Sequence, residues 1–247
     1  RQKLVRIDSI GDISLTGLID SVLEARFIEA LRAVRRDGLE ASVRPAFVNR
    51  KPGYRWTLGE AEWLIEPQVT PPVSETGGIG VSIDWVMRPA TAGSDRRLAV
   101  FLDGWAFHKD RVAKDLRQRM ALVASGRYDV WSFTWADLDE QLGLGSPEDA
   151  LELAAPDPSA TRAMLQRIGL ADCAWIPDKA TFDWLVAELT GAGLPWREIA
   201  QGVLASRMRS ARGDDGEQWR AFAEGVAPGF AVDEVASLEP RLVAEDR

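Results

Sequence analysis

LAVFLDGWAFHKDRVAKDLRQRMALVASGRYDVWSFT (Leu98–Thr134) is the stretch from which the fold is read. Its opening run, Leu98–Leu102, is wholly apolar, the pattern of a strand covered on both faces. Asp103-Gly104 then gives a turn signal. Asp110–Ser125 keeps a helical pattern up to Gly126, and Tyr128–Thr134 (YDVWSFT) holds the aromatic and β-branched residues that favour strands. Strand, helix and strand at this spacing predict a parallel pair joined by a right-handed crossover. The same stretch carries the only histidine of 247 residues, His108, five positions after Asp103 and seven before Asp115.

Working outward, Leu15–Arg36 has apolar residues at helical period (Leu18, Ile19, Val22, Leu23, Phe27, Ile28, Leu31, Val34), with Gly38 expected to stop the helix. A loop containing Pro45, Pro52 and Gly53 is expected next. Strand-like segments follow at Tyr54–Leu58, Trp63–Val69, Gly80–Met87 and Arg97–Leu102, separated by turn-rich linkers, and Trp135–Leu142 reads as a short closing helix. Helices on a mixed sheet make this an α/β domain over about residues 14–142. An acidic, Pro-containing linker (143–160) leads to expected helices at Arg162–Ile168, Lys179–Leu189, Trp196–Ser210 and Gly216–Gly225, a C-terminal helical subdomain over 161–247. Most of the ten tryptophans are expected in the core, with Trp131, Phe133 and Trp135 on one strand face by period-two spacing.

Composition narrows the chemistry. Hydrophobic residues make up 46% and charged residues 28%, ordinary for a globular chain. No apolar run approaches the roughly 20 residues that cross a bilayer. One cysteine, Cys173, and one histidine exclude an internal disulfide framework and a zinc finger, and fit a reducing cytoplasm. A metal would then be held by carboxylates and carbonyls, which favours Mg²⁺ or Mn²⁺. The formal net charge is −8, unevenly spread. Residues 1–130 carry 20 Lys/Arg against 17 Asp/Glu, whereas residues 131–247 carry 10 against 21. Only the first half is suited to facing phosphate. The opening RQKLVRIDSIGD has no initiator methionine, so a piece of a longer protein is expected.

Several features of that half converge. SVLEARF carries Glu24, SIDWV carries Asp84, AVFLDGWAFH runs to His108, and KDLRQRMALVASG carries Asp115 eleven residues before Gly126. In order and spacing these resemble the very-short-patch-repair (Vsr) mismatch endonucleases and the Vsr-like branch of the PD-(D/E)XK nuclease superfamily. WLIEPQV, upstream of the acidic strand, is similar to the strand that precedes the aspartate in that branch. The resemblance covers about residues 20–142. It implies a restriction-endonuclease-like mixed sheet flanked by helices, and metal-dependent hydrolysis of DNA. Residue by residue, it implies that Asp84 and the Leu102 carbonyl ligate Mg²⁺, with Asp103 beside them. It further implies that His108 is the general base, that Asp115 orients it, and that Glu24 is the helix glutamate near the site. Such domains keep company with helicases and other DNA-processing or phage-defence proteins. Two positions depart from the pattern: Asp103 stands where the mismatch enzymes carry a histidine, though many relatives have Asp-Gly there, and Phe101 stands where those relatives usually carry a glutamate two residues before that Asp.

The chemistry is coherent without the family. Phosphodiester hydrolysis needs an activated water and neutralisation of the charge that builds on phosphate oxygens. A carboxylate-held histidine suits the base, and Arg96, Arg97, Lys109, Arg111, Lys114, Arg117 and Arg119 are candidates for backbone phosphate contacts. Plainer readings stand beside these. Asp103-Gly104 is also a common turn, His108 a loop or helix-start residue, Asp115 and Glu24 solvated helix carboxylates, and the basic run 109–119 a solvated face. Trp105 and Phe107 either stack on bases or pack. The alternative function is a catalytically degenerate nuclease fold that binds DNA or a protein partner without cutting, with Phe101 as its argument.

Overall fold

The computed structural model describes residues 21–91, 93–103, 112–144, 158–167, 169–176, 179–191, 193–196 and 199. The first described element is helix α1 (Val22–Ala33), whose N-cap Ser21 accepts the Glu24 N–H at 3.1 Å. A small antiparallel ribbon, β1 (Arg35–Arg36) and β2 (Leu39–Glu40), follows. Six further strands then form one sheet in sequence order: β3 (Ser42–Val48), β4 (Lys51–Leu58), β5 (Ala61–Val69), β6 (Ile83–Pro89), β7 (Leu98–Asp103) and β8 (Asp129–Thr134). Neighbours from β3 to β7 are antiparallel, and β7 pairs with β8 in parallel. Helix α2 (Val112–Ala124) lies in sequence between that last pair. Helices α3 (Trp135–Gln141), α4 (Pro158–Arg167) and α5 (Thr181–Leu189) complete the described elements, with a 3-10 turn at Ala171–Cys173.

The sheet is mixed and covered by helices on its two faces. Leu98, Val100 and Leu102 of β7 join Trp85, Phe133, Phe27 and Leu31 in the core beneath α1. Ala99 and Phe101, one residue out of phase, join Val86, Leu122 and Tyr128 beneath α2. The wholly apolar β7 is therefore buried on both sides, as its sequence predicts. Trp131 and Phe133 face the α1 side with near-parallel rings 6.4 Å apart. Thr134 and Asp137 form a capping box that starts α3 where β8 stops.

Two expectations need correction. The first helix ends at Ala33, and Gly38 is not its stop. Asp37 and Gly38 both take left-handed backbone and turn β1 into β2, a two-residue hairpin geometry. The expected loop around Pro45, Pro52 and Gly53 is instead the β3–β4 hairpin. Pro45 is tolerated because β3 is the sheet edge, and Pro52 because it lies beyond the last β4–β5 pair, Tyr54 opposite Ile65. Of the described C-terminal helices, α5 sends Phe182, Leu185, Val186 and Leu189 into the same core as α1, and the Trp63 indole donates to the Leu189 carbonyl at 2.7 Å. The expected helices at Trp196–Ser210 and Gly216–Gly225 lie outside the described residues except at their edge.

Candidate functional site

Strand direction decides which residues meet. Because β3 to β7 alternate and β8 runs with β7, one end of the sheet gathers five features. These are the β3–β4 turn, the end of β5, the start of β6, and the ends of β7 and β8. Asp84, second residue of β6, and Leu102 and Asp103, the last two of β7, lie at this end. His108, Lys109, Arg111, Trp105 and Phe107 follow β7 directly in the chain but lie outside the described residues.

Asp84 is half-buried between the buried Ile83 and Trp85. Its Oδ2 accepts the Leu102 N–H at 2.8 Å, where the last paired residues of the two strands are Trp85 and Val100. A carboxylate in such a place is costly unless hydrogen-bonded, and a charge-assisted bond from a strand end meets that cost. In an extended strand the N–H and C=O of one residue project toward the same edge. The Leu102 carbonyl thus projects toward β6, on the side where the Asp84 carboxylate stands. The carboxylate and the carbonyl expected as ligands are neighbours.

Glu24 of α1 reaches the same end of the sheet through Gln68. It is buried at 4% exposure on α1, and its Oε1 accepts the Gln68 amide at 3.0 Å. Gln68 has left-handed backbone (φ 47°) between the pairs Pro67–Trp85 and Val69–Ile83, so it sits across from Asp84 in β6. The kink breaks the in-out alternation of β5 and turns the amide toward α1. Gln68 was not singled out in the sequence, because an unfavourable left-handed glutamine leaves no local signature. Beneath Glu24, burial pushes the Tyr54 phenol up to about 12; Arg32 opposes the shift and Glu24 adds to it.

Asp115 sits in the first turn of α2 and is half-buried, on the opposite face of the sheet from α1. Phe101 lies on that same face, with the Arg119 guanidinium 4.9 Å above its ring. Where the resemblance implies an acid, this chain has an apolar residue roofed by a cation. Of the candidate phosphate contacts, Lys114 and Arg117 are exposed on α2. Arg96 and Arg97 are engaged within the chain. Arg96 pairs with Asp129 at 3.3 Å and with the fully buried Glu188, whose other oxygen accepts the Trp196 indole. Arg97 donates to the Tyr128 hydroxyl at 3.0 Å and pairs with Glu75 at 3.5 Å.

No family model, curated protein or solved structure matches the chain. Among the described residues no three His, Cys, Asp or Glu side chains come together as a metal-binding group. No described helix is long and apolar enough to cross a membrane.

Proposed function

We propose that the chain carries a metal-dependent DNA endonuclease domain of the Vsr-like, PD-(D/E)XK kind, within a longer DNA-processing or phage-defence polypeptide such as a helicase. The observation that supports it most is the Asp84 carboxylate bonded to the Leu102 N–H at a sheet end, with His108 six residues further along the chain from Leu102. The succession of helix, antiparallel meander, helix and parallel strand is also what the resemblance implies. The donors on offer are a carboxylate and a backbone carbonyl, hard oxygen ligands that fit Mg²⁺ or Mn²⁺ better than a soft metal. Asp84 and the Leu102 carbonyl would hold the ion, with Asp103 next in the strand. When bound, it supplies charge neutralisation on the scissile phosphate. In this reading His108 accepts the proton of the attacking water, Asp115 orients the imidazole, and Glu24 fixes the sheet end through Gln68. Lys114 and Arg117 serve the phosphate backbone, as Lys109 and Arg111 do in the reading of the sequence. Arg96 and Arg97 are better assigned to holding β7 and β8 to their neighbours.

One observation favours a second reading. Phe101 under Arg119 occupies the place of an acidic ligand, which suits a degenerate fold that binds DNA without cutting it. Nicking of supercoiled plasmid in Mg²⁺ or Mn²⁺ separates the two. The nuclease reading predicts cleavage that Asp84→Ala abolishes and His108→Ala slows by roughly 10²–10⁴-fold, the usual worth of a general base. Metal-independent binding with an intact plasmid, unchanged by either substitution, would favour the binding module.

A further inference from the structure

We infer that the β3–β4 hairpin is a DNA-contacting edge beside the Asp84 sheet end, with Arg50 and Lys51 on backbone phosphates and Phe47 stacked on an unpaired base. The inference rests on the DNA reading above and extends it to a surface that none of the motifs carrying the resemblance includes. Phe47 is 79% exposed, well beyond the other exposed large apolar residues of the described chain, which lie between 45% and 57%. Its cross-strand partner Pro52 is exposed too. Pro45 and the exposed Arg44 protect a free sheet edge from pairing with another chain. That protection gives no reason for an exposed phenylalanine.

The charge around it is one-sided. Residues 41–59 contain Arg44, Arg50, Lys51 and Arg55 and no Asp or Glu, in a chain of net charge −8. Arg55 is paired with Glu62, and Arg44 donates to Ser42. Arg50 is exposed with no ion pair among the described residues, and Lys51 stands 4.0 Å from Glu66 with its side chain 62% exposed. The turn itself is held: Asn49 and Arg50 both take left-handed backbone, and the Asn49 amide donates to the buried Glu66 carboxylate at 2.5 Å. A fixed turn presenting two cations next to an exposed ring matches what an unpaired strand offers, phosphates on one side and a base face on the other.

Position fits as well. The turn lies at the sheet end that holds Asp84 and Leu102. From β4 to β6 is two strand spacings and from β3 three, about 10–15 Å. One nucleic-acid strand can therefore touch the hairpin and the candidate site together. Stacking requires a base out of the duplex, so the occupant is single-stranded DNA or the frayed end of a duplex.

The test uses the full chain, EDTA to prevent cutting, and a fluorescein-labelled thymidine oligonucleotide read by fluorescence anisotropy across a salt series, beside a duplex of equal length. Phe47→Ala should weaken single-strand binding roughly 5- to 150-fold, the worth of one base stack, without changing the salt slope. Phe47→Trp should restore it. Arg50→Ala with Lys51→Ala should lower the slope of log K against log salt by about 1.4, the share of two single-strand phosphates. Circular dichroism on each variant reports the fold, which an exposed side chain should leave intact. If wild type and all variants bind alike, or if Phe47→Trp fails to restore what Phe47→Ala loses, the hairpin inference falls and the DNA reading stands. Tight duplex binding that ignores Phe47 also overturns it. If the wild type binds neither DNA, both fall.

Discussion

Tyr54 shows how one residue ties the site to the stability of the sheet. Its ring is fully buried against Trp85, with centroids 5.9 Å apart, and its hydroxyl finds no hydrogen-bond partner among the described residues. Burial raises its pKa from 10.0 to about 12, so the folded state holds the phenol proton more tightly than the unfolded chain. The sign follows from linkage: the contribution is complete below pH 10 and is lost as pH rises toward 12. Absorbance at 295 nm should therefore show this tyrosine ionising only as the protein unfolds on the alkaline side. Tyr54→Phe should hold its fold to higher pH than wild type. Ionisation near pH 10 with the near-UV circular dichroism unchanged would contradict the assignment. At this scale Asp84 was legible, because a carboxylate between Ile83 and Trp85 needs a polar partner. That the partner is a backbone N–H from the next strand was not, since register is a property of the folded sheet.

Among the elements, the hairpin of β3 and β4 depends on one glycine. A Cβ on Gly53 would fall against the Ile65 carbonyl oxygen of β5, a rigid backbone atom, and against Val48 of β3. Gly53→Ala should cost about 1–3 kcal/mol in chemical denaturation, as overpacking does. Gly80→Ala meets nothing within 4 Å and should change stability by no more than about 0.5 kcal/mol. Equal effects would mean that β4 does not approach β5 as described. The same hairpin marks where sequence reading stopped short. Two prolines and a glycine signal a break; they fit pairing because Pro45 is on the edge strand β3 and Pro52 lies beyond the last β4–β5 pair. Its turn, Asn49–Arg50, lacks the glycine that usually announces one. By contrast β7, β8 and α2 were legible: a doubly buried strand, an aromatic-rich strand and an amphipathic helix each write their period into the sequence.

Taken whole, the molecule joins two electrostatically different halves through buried contacts. The acidic second half docks α5 on the sheet, with Phe182 against Phe27 and Phe133 at centroid distances of 6.2 and 5.4 Å. Glu188 of α5, fully buried, is neutralised by Arg96, so one cation of the first half is spent on holding α5. Composition alone showed the charge imbalance; it could not show that Arg96 serves the fold rather than a phosphate. Asp84, Leu102 and the basic β3–β4 hairpin stand at one end of the sheet, the end assigned to the ligand in the proposed function. In the proposed function Asp84 holds a divalent cation. Mn²⁺ titrated into the full chain and followed by the electron paramagnetic resonance of the free ion tests this most directly, with Asp84→Asn as comparison. The amide can still accept the Leu102 N–H but carries no charge. The wild type should bind Mn²⁺ saturably, competed by Mg²⁺, and Asp84→Asn should bind it at least about tenfold more weakly, the effect of removing about 1.4 kcal/mol. A wild type that leaves the Mn²⁺ signal untouched, or binding of equal strength in Asp84→Asn, would contradict this role of Asp84.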